Sequence, residues 1–403
     1  MSPLRLWRTS HRSRSEVGNE HVPESRNEKV AESECEGAPF GGAIRREREA
    51  SASGVRPIEV VSVIVPVRNE AEGIIALLDA LARQTRMPEE IVVTDGGSVD
   101  GTPRLIREWL QAADIPLTLV EDADAYPGRG RNLAIGAARH DWIASIDAGV
   151  EPPPTWLESL IAAGAGEPEA HVVFGRYAAR TNTWFTTCAA MAYVGRSDQD
   201  RKSIASCLLH RSAWERAGGF PEGLRSGEDL LFFKALDRAG VRATFCRADP
   251  VLWEGPSTLA AIFRRFSLYS LHSIRGGLWR EWHVRVSLQY LVLGVLAWLG
   301  VLFGWEWWIA AGGVFALRAM RRILAWHRTS TVRRRWAAAL NPVRLLTVMA
   351  LNLVIDLAMF TGVVRWLFAD RVDPDDRRQS DSAGPVAAVP AATHTRRTLA
   401  SSP

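Results

Sequence analysis

Four short stretches of this chain carry side chains that could hold a charged ligand. "EEIVVTDGGS" closes an apolar run on Asp95, followed by Gly96, Gly97 and Ser98. "DWIASIDAG" closes another on Asp147, two residues before Gly149. A strand-end carboxylate can accept hydrogen bonds from a base or a sugar, and neighbouring glycines allow close backbone approach. An aspartate that caps its own turn fits Asp95 equally well. "PGRGRN", Pro127 to Asn132, opens a helix with two glycines and two arginines. Its amides, dipole and guanidinium groups suit a diphosphate, or simply a solvated basic turn. In "GGFPEGLRSGEDLLFFKAL", Glu228 and Asp229 head an apolar-periodic helix behind the flexible pair Gly218–Gly219. They are either ordinary N-terminal helix charge or a general base whose pKa is raised by its neighbour.

These groups need a scaffold, and the pattern predicts one. Val60 to Val65 is a β-branched run suited to a strand buried on both faces. "AEGIIALLDALARQ" has helical periodicity, "EEIVVTDGGS" is a second strand, and "DGTPRLIREWLQAA" is a helix capped by Asp100 with Pro103 in its first turn. "LTLVED", "GRNLAIGAARH" and "DWIASID" continue the alternation as strand, helix and strand. The expected fold is α/β with a largely parallel sheet. Ligands of such sheets bind beyond the carboxyl ends of the strands. Pro66, Arg68, Asn69, Glu70, Asp95 and Asp147 all fall at such ends.

The rest of the chain has a different character. Of its 403 residues, 1–57 are polar and aperiodic and are expected to be a disordered arm, as is a tail at 370–403. "MSPLRLWRTSHRSRS" has charge but no apolar core, so no signal peptide is expected. A net charge of +4 is weak support for nucleic acid, and no such partner is expected. The arginines cluster instead near C-terminal apolar segments, where many of the 16 tryptophans also lie, as at a membrane surface. Cys35, Cys188, Cys207 and Cys246 have no metal or redox spacing and read as idle thiols in a reducing compartment. Residues 258–284 read as amphipathic and interfacial, with an apolar stripe from Leu259 to Tyr269 and Trp279 and Trp282 as anchors. Val286 to Gly304 is long enough to span a bilayer, which takes about 20 apolar residues. Trp305 to Leu317 is a shorter candidate and Pro342 to Phe368 holds another, giving two or three spans within 285–369. Arg318, Arg321, Arg322, Arg328, Arg333, Arg334, Arg335 and Arg344 lie between the last two, which marks that side as cytoplasmic. A hairpin of the first two spans puts the α/β domain on the same side. Asn352 and Asp356 fall one turn apart in the last span without an assignable role.

In order and spacing, the motifs from Val60 to Glu254 resemble the family 2 glycosyltransferases, inverting enzymes of the GT-A fold. "VSVIVPVRNEAEGI" is similar to the family's first strand and loop, and "IVVTDGGSVDGT" to its second. "RGRNLAIGAA", "IASIDAG" and "AGGFPEGLRSGEDLLFFKALDRAGVR" resemble its ARN helix, its DxD strand, and its acceptor loop with base helix. The resemblance implies a nucleotide-diphosphate sugar donor. It implies Asp95 and Gly97 near the nucleobase, Arg131 and Asn132 near ribose and phosphate, Asp147 and Gly149 at the donor, and Gly218, Gly219 and Phe220 at the acceptor. Asp229, beside Glu228, is the implied base. With the C-terminal spans, it implies a multi-pass membrane enzyme of bacterial inner-membrane type, acting from the cytoplasmic side on a lipid-linked or cell-envelope glycan.

Two departures bear on the cofactor. The motif's last carboxylate, a usual ligand of Mg²⁺ or Mn²⁺, is Gly149, and Trp253 stands where many members have a histidine. Either Asp147 alone holds a substrate-chelated ion, or the protein's own cations act without one. Glu151 is an alternative ligand or a solvated loop acid. Arg264 and Arg265 are candidates to stabilise the diphosphate, or contact lipid headgroups only. The competing readings are a catalytically inactive nucleotide-sugar-binding membrane scaffold and, more remotely, a nucleotidyltransferase.

Overall fold

A computed structural model describes residues 58–195 and 200–368; the expected arm and tail, with Cys35, lie outside the described residues. The run "VSVIVPV" forms β1 (Val61–Val67), buried throughout except at Pro66. Side chains alternate across the strand as its period of two requires. Val63 and Val65 join one core cluster with Leu78 and Leu81, while Ile64 joins the other with Ile135 and Phe232. Helix α1 (Ile74–Ala82) leads to β2 (Glu90–Asp95), α2 (Thr102–Ala112) to β3 (Leu117–Glu121), and α3 (Pro127–Ala137) to β4 (Trp142–Ile146). These four strands are parallel, in the order β3-β2-β1-β4. The cap of α2 is Gly101 rather than Asp100. The Asp100 carboxylate instead accepts the Thr102 and Ala71 amides, tying the loop after β1 to the loop after β2.

Beyond β4 come β5 (Val150–Glu151), α4 (Trp156–Ala165), β6 (Val172–Phe174), β7 (Tyr177–Ala179) and α5 (Trp184–Ala189). Helix α5 runs into a π-helical turn (Ala190–Val194). Then follow β8 (Ser206–His210), α6 (Arg211–Ala217), α7 (Glu228–Arg238), β9 (Ala243–Phe245) and β10 (Val251–Trp253). β8, β6 and β9 extend the sheet to seven strands, of which only β8 runs against the rest. The expected α/β fold with a mostly parallel sheet is therefore present. A second sheet, β5-β10-β7, stands beside the carboxyl end of β4 and sets Trp253 near Tyr177.

The C-terminal part is helical: α8 (Leu259–Arg275), α9 (Trp279–Trp282), α10 (Val284–Phe303), α11 (Glu306–Trp326), α12 (Val332–Ala339) and α13 (Pro342–Leu367). Among the described residues, α10 and α13 are long and apolar enough to cross a membrane. The short apolar stretch at Trp305 does not end at Leu317. It continues as α11 and carries Arg318, Arg321 and Arg322, which were expected in a loop. α11 folds back along α10, with Tyr290 edge-on to Phe315 and Arg318 bonded to Gln289 at 3.2 Å. Asp356 has a partner after all: Arg318 grips both of its oxygens at 2.6 and 3.0 Å, and its side chain is fully buried.

Helix α8 also departs from expectation. Ile262 and Phe266 of its stripe are buried against α5, the π-helical turn and α13 rather than facing lipid. Trp282, half-buried, packs edge-on against Tyr269 at 6.1 Å, while Trp279 is exposed. α8 and α13 cross very closely. A Cβ on Gly362 would overlap the Ser270 side chain, and Ser270 Oγ donates to the Met359 carbonyl at 2.6 Å. Small residues at a crossing let helix backbones approach this way.

The two glycines of "PGRGRN" do different work. A Cβ on Gly128 would overlap the carbonyl oxygen of Pro221, whereas one on Gly130 would meet nothing closer than 3.6 Å. Gly128→Ala is expected to cost about 1–3 kcal/mol as an overpacked site. Gly130→Ala is expected to be neutral or to gain up to about 1 kcal/mol from helix propensity. Thermal melts of the two variants check this, and equal melting temperatures would contradict the packing described.

Candidate active site

At the carboxyl ends of β1, β2 and β4 lies a cleft of about 720 Å³, lined by residues between Pro66 and Leu230 on one side and by Trp253, α8 and Trp282 on the other. Its centre is Arg131. The first turns of α3 carry this side chain under the sheet edge, where it is 4% exposed. Nη2 donates to Asp147 Oδ1 at 2.6 Å and Nη1 to Glu228 Oε1 at 2.8 Å. Burial opposes the guanidinium charge, but Asp147 and Glu228 outweigh it and raise the Arg131 pKa. Three sequence-distant segments, the starts of α3 and α7 and the end of β4, are thereby fixed to one charged group. Phe220 backs it, with its ring centroid 5.7 Å from the guanidinium carbon.

Asp229 follows Glu228 in the first turn of α7, after Gly227 in the left-handed region at φ 85°. Its Oδ1 accepts its neighbour's Leu230 amide at 2.8 Å, and Oδ2 is left toward the cleft that Asp229 lines. Burial pushes its carboxyl above the ordinary range and Asp147 adds to this, against the Leu230 amide and Arg131. Glu228 is also raised, by burial first and by Asp229, with Arg131 opposing. The arrangement separates the two acids: Glu228 holds Arg131, and Asp229 is the carboxylate available to a ligand.

Gly149 has φ +75°, a conformation that side chains rarely adopt. The space where its Cβ would stand is flanked by the Glu70 carboxylate, at 3.5 and 3.6 Å. Glu70 lines the cleft, and its pKa is raised by burial and by Asp100, with Arg265 opposing. Glu151, the alternative ligand, pairs instead with Arg180 at the surface.

The other expected residues divide clearly. Pro66 and Arg68 line the cleft. Asn69 does not; its amide donates to Ser98 Oγ and its Oδ1 accepts the Val99 amide, so it joins two loops. The Asp95 carboxylate accepts the amides of Gly97 and Ser98, which is the turn-capping arrangement. Asn132 is buried and fully occupied. Its Oδ1 accepts from the Phe220 amide and Trp214 Nε1, and its Nδ2 donates to the Phe220 carbonyl and Glu222. With both donors and both acceptors used, it clamps the Gly218–Phe220 loop and has no capacity left for a ribose. Phe220 in turn stacks on Phe232 at 3.9 Å. Arg264 is exposed and away from the cleft, whereas Arg265 lines it. The guanidinium of Arg265 lies 4.6 Å over the Trp253 ring, and its Nε donates to Tyr269 Oη at 2.7 Å.

Sequence reasoning missed Tyr177, Tyr193, Arg201 and Arg225, which also line the cleft. Tyr193 sits in the π-helical turn inside an apolar run, and Arg225 reaches over the Tyr126 ring at 4.7 Å. Neither has a local signal, although "RSGED" places Arg225 close enough to the acid pair to have prompted the question.

Residues 62–228 match the glycosyl transferase family 2 domain. Glycosyltransferase AglE of Haloferax volcanii is 29% identical over 200 residues, covering 46% of this chain and 64% of that protein. Pre-mycofactocin glycosyltransferase of Mycobacterium tuberculosis is 29% identical over 198 residues, covering 46% of this chain and 40% of that protein. The chain thus spans less than two thirds of the length of these relatives. Among solved structures, mannosyltransferase PcManGT from Pyrobaculum calidifontis, in complex with GDP-Man and Mn2+, aligns with 82% of this chain and 96% of its own. That alignment has 21% identity and a TM-score of 0.47.

The raised pKa of Asp229 has a consequence for stability. The folded protein binds this proton more tightly than the unfolded chain, so stability falls as pH rises from the ordinary value of 3.8 through the raised one. Asp229→Asn keeps the acceptor of the Leu230 amide and removes the charge. The variant is expected to melt higher than the wild type at pH 8, with the difference shrinking toward pH 4. A lower melting temperature at pH 8 would contradict it.

Proposed function

We propose that the chain, whose residues 62–228 match glycosyl transferase family 2, is a glycosyltransferase that moves a sugar from a nucleotide-diphosphate donor to an acceptor hydroxyl with inversion. The observation that carries this reading is the Asp229 carboxylate. It opens into a cleft at the strand ends, beside an arginine locked between Asp147 and Glu228.

The nucleoside end of the donor fits against Pro66, Arg68 and Gly96, where parallel strands end and the loops are tied together. The sugar then lies toward Asp147 and Asp229. Asp229 takes the proton of the acceptor hydroxyl as the oxygen attacks the anomeric carbon. The bond to the diphosphate breaks from the opposite face, and the nucleoside diphosphate leaves. A base with a raised pKa is better matched to a hydroxyl proton than an ordinary aspartate. Arg131 holds Asp147 and the start of α7 in place, so the base and the donor keep a fixed separation.

The acceptor enters from the far wall, where Tyr193, Trp253, Phe266 and Trp282 meet. That wall continues through α9 into α10, which supports a lipid-linked or envelope glycan as acceptor. The outer surface of the α10–α11 hairpin is apolar, with Leu291, Trp298, Phe303, Trp305 and Ile309 each more than half exposed. Inserted tip first, the hairpin keeps both ends on the side of the α/β domain. The arginines at 318–335 then mark that side as cytoplasmic.

The test is nucleoside diphosphate release from a panel of sugar donors by the purified, membrane-reconstituted protein. Asp229→Asn is expected to lower turnover about a thousandfold while donor affinity stays within a few fold. Donor binding by the wild type without turnover on any acceptor would favour the scaffold reading. Release of pyrophosphate instead would mark a nucleotidyltransferase.

A further inference from the structure

The resemblance implies a divalent cation at the strand-end motif, but the side chains present do not fit one. Gly149 offers no donor, and the space beside it faces the Glu70 carboxylate. Asp147 Oδ1 is engaged by Arg131 at 2.6 Å. Trp253 presents a ring, and the face of that ring is covered by a guanidinium. Among the described residues, no three His, Cys, Asp or Glu side chains form a cluster that could hold a metal ion by themselves.

The same positions are rich in fixed positive charge. Five arginines and four carboxylates line the cleft. Two of those carboxylates, Asp147 and Glu228, are already engaged by Arg131. Arg265 is the best placed of the cations. Trp253 and Tyr269 lie within 4.6 and 5.6 Å of its guanidinium carbon, and its Nε is fixed on Tyr269 Oη. Stacking and one hydrogen bond hold the fork, and among the described residues no hydrogen bond takes up its terminal nitrogens. Such a fork matches two oxygens of a phosphate at once, which a lysine cannot do.

We propose that Arg265, held on Trp253, takes the place of the divalent cation and binds the donor's diphosphate, so that nucleotide recognition here is metal-independent. This rests on the transferase reading above. As the glycosidic bond breaks, the negative charge that gathers on the leaving diphosphate is met by a preorganised guanidinium already in position.

The experiment measures binding of UDP, GDP, UMP and GMP by calorimetry to the full-length protein in EDTA, then with Mn²⁺. For the preferred base, the diphosphate is expected to bind about tenfold more tightly than the monophosphate in EDTA, with little change on adding Mn²⁺. Arg265→Ala is expected to erase that preference while leaving monophosphate affinity intact, which also shows that the variant is folded. Arg265→Lys should restore it only in part, and Arg264→Ala should leave it unchanged. A diphosphate preference that appears only with Mn²⁺, or that survives in Arg265→Ala, overturns the proposal and leaves the transferase reading standing. Failure of every nucleotide to bind with or without Mn²⁺ overturns both.

Discussion

A guanidinium stays charged even when buried, so it is tolerated there only with carboxylates beside it, and Arg131 is buried. That condition ties α3, the end of β4 and the start of α7 together at distances of 2.6 and 2.8 Å. Everything else at the cleft is arranged around it. Glu228 has no freedom to act on a ligand because it is one of the two counter-charges. Asp229, the next residue, inherits a position at the cleft and a poorly solvated carboxyl from the same geometry. Loss of either partner would leave a charge stranded under the sheet edge, so the acid pair is structural and chemical at once.

A second tier of polar contacts supports this centre by bonding the protein's own loops to one another. Asn132, one residue after Arg131, uses all of its amide capacity to hold the Gly218–Phe220 loop. Asn69 and Asp100 lace the loops after β1 and β2. The glycines accept what side chains could not: Gly128 lets the Pro221 carbonyl close on α3, and Gly149 turns the chain past Glu70. The cleft is thus a rigid surface assembled from loops, each anchored by a polar residue that the family motifs include.

Much of this was legible in the sequence because the signals were local. Alternating strand and helix periodicity predicted the parallel sheet, and the motif order predicted the family and the location of the cleft. The reading weakened where a side chain's role depends on what lies across space. Asp95 and Asn132 sit in motifs associated with ligand contact, yet Asn132 spends its whole amide on the Gly218–Phe220 loop side and Asp95 caps its own turn. The stripe on α8 has the spacing of a lipid-facing helix, and only tertiary structure shows α13 and the π-helical turn covering it. Arg318 read as a loop cation because Asp356, its partner, is 38 residues away. Gly149 was conspicuous as a missing acid, but nothing local says that Glu70 stands beside it.

The crossing of α8 and α13 at Gly362 is tight enough that neither helix can shift without the other. α8 carries Arg265 into the cleft, and α13 is one of the two helices apolar enough to lie in a bilayer. In the proposed membrane-bound transferase, lateral pressure, thickness and order in the lipid would have a mechanical route to the groups proposed to face the donor. On that proposal the membrane becomes part of the reaction medium, and a fragment without α8 would keep the sheet but lose the Arg265 side of the cleft.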